Sequence, residues 1–337
     1  MIKWLYQEEK KHGTGTRANY PKPKDGLIWV YAVRPTEKEL EKISKDFRVP
    51  PKIIKYYGRE RRSVRYSFEP FSCTFVDYHL VEGKPKRTNV LFFISKNFII
   101  TILQEPIETY EQVFSELEGR LTKGKLSPVT VLIELLDADI EENYEVLEKI
   151  ENQLTELEAE IAARKRNANI ARVIELRRTL NRMSRAFWGS SRITYFMRTG
   201  LTSWEMSIFE ARRIDDLHQS LIHQIDIISN HKEVLTDTIT IYQTNVSNWL
   251  ATISNRINAS IKLLTWVMFI LTGFTLVLTV PNTFATIFGI PYLGLSSEQW
   301  PYIIGLLLLA TAVPLLWFYL YWRTMKKKAE ALESQVS

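Results

Sequence analysis

Two long apolar runs near the C-terminus constrain this chain more than any other feature: Leu263 to about Phe288, and Tyr302 to about Trp322. Each reaches the roughly 20 residues that a helix needs to cross about 30 Å of hydrocarbon. In that medium every backbone amide and carbonyl must be satisfied within the segment, so both runs are expected to be helices. The linker GIPYLGLSSEQWP between them carries no Lys or Arg, whereas Arg256 and Lys262 precede the first run and Arg323, Lys326, Lys327 and Lys328 follow the second. Because basic residues stay on the cytoplasmic side, this pattern predicts a multi-pass protein of the cell membrane with both termini in the cytoplasm. Trp266, Trp300, Trp317, Tyr321 and Trp322 are available as interfacial anchors. The N-terminal MIKWLYQEEKKHG lacks the apolar core of a secretory signal, so the large N-terminal part is expected to stay where it is made.

The remaining residues of the 337 read as water-soluble structure. From Leu27 to about Leu103, the short apolar runs LIWVYAV, FSCTFVDYHLV, NVLFFIS and NFIITIL alternate with the helical patterns EKELEKISKDF and PPKIIKYY. That alternation predicts a mixed α/β domain over 1–126. The single cysteine, Cys73, falls in a run that reads as a buried strand, which excludes an intrachain disulfide or a Cys-based metal site. No Gly-rich phosphate loop, HExxH or GxSxG motif is present, so the sequence offers no enzyme chemistry and no cofactor site. The five histidines, His12, His79, His218, His223 and His231, read as surface or interface residues. The net charge of +6 comes from scattered basic groups rather than one stripe, which argues against nucleic acid as a partner.

Beyond Ser127 the period changes. Leu147, Ile150, Leu154, Leu157 and Ile161 recur at alternating steps of three and four, and Val173, Leu176, Leu180, Met183 and Phe187 do the same after the polar break RKRNAN. Two heptad seams joined by a short break predict a helical hairpin. A third seam, from Ile214 through Leu217, Leu221, Ile225 and Ile228 to Leu235, Ile239, Tyr242, Val246 and Ile253, runs without Gly or Pro into the first apolar run. The expected organisation is therefore a long-helix stalk or funnel over 127–262, a transmembrane domain over 263–322 and a basic cytoplasmic tail over 323–337.

The first span carries polarity of its own. Asn258, Thr265, Thr272, Thr279 and Thr286 are spaced by seven and Thr283 lies close to them, which on a helix makes one slowly drifting polar stripe. Threonines in a lone span also bond back to their own helix or pack helices together. The alternative is that several copies of the helix surround an axis and turn the stripe toward water, and this requires an oligomer, since two spans cannot enclose a pathway. Between the polar levels, Met268 or Phe269 and Leu276 lie on nearly the same face, where rings of such side chains would close a narrow pore by dewetting.

The order of these parts, together with ELLDADIEENYEVLEKIENQLTELE, IELRRTLNRMSRAFW, IYQTNVSNWLATISNRINASIKLLT and PNTFATIFG, resembles the CorA family of divalent-cation transporters. The resemblance implies a homopentamer of α/β domain, long-helix funnel and two C-terminal spans, passing Mg2+, with Co2+ and Ni2+ as related cargo. It also implies that the first span ends at the ion-selecting tripeptide, whose matching positions here are Gly289, Ile290 and Pro291 in place of Gly-Met-Asn. Glu298 and Trp300 match the acidic and aromatic positions of the outer loop. Pro291 offers only a carbonyl where the family has an amide side chain, so main-chain carbonyls with Thr283 and Thr286 would take over. Pro281 is expected to bend the span, and Gly-Ile-Pro to end it.

The family resemblance further implies inhibition by cytoplasmic divalent ions held between subunits. Its acidic position falls at Glu233, with Asp237 one turn on, and Glu105 or Glu108 would be the partners across the interface. The altered tripeptide keeps two other readings open: a zinc or broad-specificity transporter, and a non-conducting membrane scaffold or sensor of the same fold.

Overall fold

The computed structural model describes residues 1–8, 11–16, 19–21, 26–60, 62–122, 124–163, 170–200, 202, 204–289 and 299–333. They form two compact units, Met1–Asn245 and Val246–Ser337.

The first unit is built on a seven-stranded mixed sheet of order β2-β1-β3-β7-β6-β5-β4. The strands are β1 Ile2–Glu8, β2 Lys11–Thr16, β3 Leu27–Val33, β4 Val64–Phe68, β5 Phe71–Val81, β6 Lys84–Ile94 and β7 Phe98–Leu103. Only β3 and β7 pair in parallel, with Val30 opposite Ile100. The LIWVYAV run is β3 and is buried along its whole length, as a central strand covered on both faces must be. The β5–β6 hairpin turns on Glu82 and Gly83, both with positive φ, the geometry of a two-residue turn that follows strand twist.

One face of the sheet, with Ile28, Val30, Leu91, Phe93, Ile100 and Ile102, packs on α1 (Glu37–Phe47) and α2 (Pro51–Tyr56) through Ile43 and Ile54. Helix α1 starts on a capping box in which Glu39 N–H donates to Thr36 Oγ1 (3.4 Å) and Thr36 N–H donates to Glu39 (2.7 Å), a device worth about 1 kcal/mol. The opposite face, with Trp29, Tyr31, Phe75, Phe92 and Leu103, packs on α3 (Glu108–Arg120), α4 (Pro128–Ala162), α5 (Ile170–Arg198) and the start of α6 (Ile208–Phe288). The hairpin seams Leu147–Ile161 and Val173–Phe187 are buried against each other and against Ile225, Ile228 and Leu235 of α6.

The 81-residue α6 continues into the second unit and ends at Phe288, with the Gly289 N–H bonded to the Ala285 carbonyl (3.0 Å). It runs on through Pro281, so the Val277 carbonyl has no amide to receive one turn later. Helix α7 (Trp300–Glu333) also extends well past Trp322, so the described part of the basic tail is helical. In this unit α6 and α7 meet along Trp266, Phe269 and Gly273 against Phe318, Tyr321 and Trp322. The Phe269 and Phe318 rings stack at 4.9 Å, and a Cβ at Gly273 would strike the Phe318 ring. Small-residue packing of this kind lets membrane helices approach closely. Both helices are long and apolar enough to cross a membrane, and within the single chain only 6% of the most apolar window of α6 and 17% of that of α7 is buried, unlike the largely buried core helices of a soluble domain.

Two expectations need correction. The histidines are not all at the surface: His79 and His231 are buried, the first against Asp77 and the second near Glu151. The sheet also begins before Leu27, with the β1–β2 hairpin at one edge.

Candidate functional site

The polar stripe lies on one side of α6. Asn258, Thr265, Thr272, Thr279, Thr283 and Thr286 are all exposed in the single chain. Trp266, Gly273 and Val280, each one residue after a stripe threonine, are half-buried or buried. A one-residue step is about 100° around a helix, so the stripe lies to one side of the α6–α7 contact. Met268 and Leu276 are exposed as well, while Phe269 is taken up by Phe318 and Tyr321. Of the two residues considered for the lower apolar level, Met268 is therefore the one left free of α7.

Four of the stripe's threonine hydroxyls are used in the same way. Thr265 donates to the Ile261 carbonyl (2.8 Å), Thr272 to Met268 (2.8 Å), Thr283 to Thr279 (2.8 Å) and Thr286 to Asn282 (2.7 Å). With its one proton spent inside the helix, each hydroxyl presents only acceptor lone pairs outward. The waters around a hydrated cation point hydrogens outward, so these acceptors are complementary to them. Residues 263–289 contain no ionisable side chain, so any cation would meet neutral oxygens only.

Gly289 sits at the end of α6 as the sequence predicts. Ile290, Pro291 and Glu298 lie outside the described residues. Trp300 opens α7 and is exposed.

The four positions expected to hold regulatory ions are all in the first unit. Glu233 and Asp237 are exposed one turn apart on α6, and Glu108 is exposed at the first turn of α3. Glu105 follows β7 and pairs with Lys86, whose ammonium holds its carboxyl below the usual range. Among the described residues, Glu105 alone of the four has a recorded basic partner that a metal ion would have to displace.

Residues 24–327 match the family model described as CorA-like Mg2+ transporter protein. Comparison with curated proteins finds no significant sequence match. Among solved structures, the complete CorA magnesium transporter from Methanocaldococcus jannaschii is 16% identical with a TM-score of 0.59, over 94% of this chain and 96% of that one. The full-length CmaX protein is 14% identical with a TM-score of 0.60, over 97% of both chains. The ZntB cytoplasmic domain from Vibrio parahaemolyticus RIMD 2210633 is 11% identical with a TM-score of 0.59, over 73% of this chain and 98% of that one. Identities this low speak for a shared fold.

Proposed function

The chain belongs to the CorA-like Mg2+ transporter family, and from that premise we propose that it assembles as a homopentamer whose five copies of α6 line a divalent-cation pathway. The observation that carries this reading is the exposed stripe from Asn258 to Thr286, which lies to one side of the α7 contact and on which the Thr265, Thr272, Thr283 and Thr286 hydroxyls leave acceptor lone pairs outward. A lone hairpin would leave that polar line in lipid, where it gains nothing; around a shared axis it faces water.

Mg2+ is the proposed cargo. A small hard dication gives up its water reluctantly, and neutral hydroxyls cannot repay the stripping of its shell, so the ion passes largely hydrated. Met268 and Leu276 close the resting pathway by dewetting, and both termini lie in the cytoplasm. The entrance is formed at Gly289, Ile290 and Pro291 by backbone carbonyls, and Glu298 concentrates cations outside it by electrostatic attraction. Cytoplasmic divalent ions bound through Glu233 and Asp237, with Glu105 or Glu108 of a neighbouring subunit, hold the pathway shut.

The experiment is flux into proteoliposomes of the full chain with Mg2+, Co2+, Ni2+ and Zn2+ in turn, beside a measurement of the particle's mass. Saturable Mg2+ uptake by a pentamer is expected. Preference for Zn2+ would replace Mg2+ as cargo, and a pentamer passing no divalent ion would favour the scaffold reading.

A further inference from the structure

A second group of cation-binding residues lies well away from the stripe, inside the first unit. Alternate residues of β5 share one face, so Cys73, Phe75, Asp77 and His79 point the same way, toward α4. The side chains of Asp77, His79 and Glu142 each place a ligand atom within 4.8 Å of the other two. Asp139, one turn before Glu142 on α4, is buried beside them and accepts from the Tyr110 hydroxyl (2.9 Å).

These groups are underused by the protein. His79 Nδ1 is 2.8 Å from Asp77 Oδ2, and Thr109 donates to Glu142 Oε1. The second oxygens, Asp77 Oδ1, Asp139 Oδ1 and Glu142 Oε2, are shielded from solvent without a hydrogen-bond partner, and so is the Asn143 amide oxygen. Asp77 is 1% exposed, Asn143 4% and Asp139 5%, so none of these three can turn to bulk water instead. Orphaned buried oxygens of this kind are costly, and three carboxylates beside one imidazole leave negative charge uncompensated. Burial accordingly pushes the Asp77, Asp139 and Glu142 carboxyls upward. A basic neighbour, Lys86, is opposite His79 on β6 and already paired with Glu105.

We propose that Asp77, His79 and Glu142, backed by Asp139, form a metal site within each subunit for a first-row transition dication, Zn2+ foremost. The donor set decides the class. One imidazole nitrogen with carboxylate oxygens suits Zn2+ and its neighbours, whereas Mg2+ takes oxygen ligands and keeps its water. A bound dication would offset two carboxylate charges, engage the orphaned oxygens and clip β5 to α4. The site contains none of the pathway or interface residues above, and it does not rest on the transport reading.

The test uses the full-length protein in detergent, stripped by chelator and titrated with Co2+ and Zn2+. One tightly held metal per chain is expected, with a visible Co2+ ligand-field band and an imidazole ligand in Zn2+ X-ray absorption. His79→Gln and Glu142→Gln should each weaken binding tenfold or more and abolish or shift the band, while the Glu233→Ala, Asp237→Ala double variant retains it. A wild-type protein without tight metal or without imidazole ligation would overturn the proposal. So would an unchanged band and stoichiometry in both substituted proteins. Should a substituted chain fail to fold, imidazole ligation in the wild type decides on its own.

Discussion

Replacing Thr272 by Val swaps a hydroxyl for a methyl of nearly the same size in the middle of the first span. The hydroxyl's recorded bond is to the Met268 carbonyl of its own helix (2.8 Å), and an intact α-helix satisfies that carbonyl without it. The fold should therefore survive. A hydrated ion passing five such positions loses its acceptors at one level, and if two neutral contacts are made at a time, each worth about 0.5–1.5 kcal/mol, the barrier rises by about 1–3 kcal/mol. At about 1.4 kcal/mol per decade, Mg2+ flux should fall by roughly 5- to 150-fold. Thr286→Val, which frees the Asn282 carbonyl in the same way, should act similarly at the outer end. The control is Thr311→Val on α7, a half-buried threonine bonded to its own helix that lies off the stripe. Flux into proteoliposomes loaded with a Mg2+-sensitive dye reads all three. Unchanged flux in both Thr272→Val and Thr286→Val, or an equal loss in Thr311→Val, would refute the wet-stripe argument.

Met268→Ser or Leu276→Ser should raise the resting leak, since a polar ring no longer dewets; equal leak in substituted and parent pentamers removes these residues as gates. Glu233→Ala with Asp237→Ala should shift inhibition by internal divalent ion to higher concentration, and an unmoved dose curve excludes them as sensors. Gly273→Leu should drive a side chain into the Phe318 ring and destabilise the α6–α7 hairpin by about 1–3 kcal/mol, visible as a lower midpoint of thermal unfolding in detergent. Glu210 is set below the usual carboxyl range: burial alone would raise it, but hydrogen bonds from Ser127, Ser207 and Thr130 outweigh that. Its contribution to stability is thus complete above the ordinary glutamate value of about 4.3 and is lost as pH falls through the lower folded value. Glu210→Gln should flatten that part of the stability profile, and an unchanged acid slope would remove Glu210 as its source.

What could be read from the sequence was whatever depends on near neighbours. Burial on both faces makes a strand continuously apolar, so LIWVYAV coincides with β3, and FSCTFVDYHLV, although it carries buried polar residues, coincides with β5. Burial along one helical stripe imposes steps of three and four, so Leu147–Ile161 and Val173–Phe187 lie in the hairpin core. The two spans follow from length and apolarity alone. The β1–β2 hairpin escaped notice because KHGTGT is an exposed edge strand and carries no apolar alternation. The parallel pairing of β3 with β7 joins residues some seventy positions apart, and no local pattern encodes it.

The same division runs through the sites. The seven-residue spacing from Asn258 to Thr286 fixes a common face by helical geometry, but only the packing of Trp266 and Gly273 on α7 decides that this face is left free. Asp139 and Glu142 look in the sequence like two more charges on a solvated helix, and His79 like a surface histidine. Their burial around Asp77 is set by α4 lying across β5, a contact between segments about sixty residues apart. Periodicity records which side of an element avoids water; the choice of what covers that side, and which polar groups are trapped beneath, belongs to the tertiary contacts.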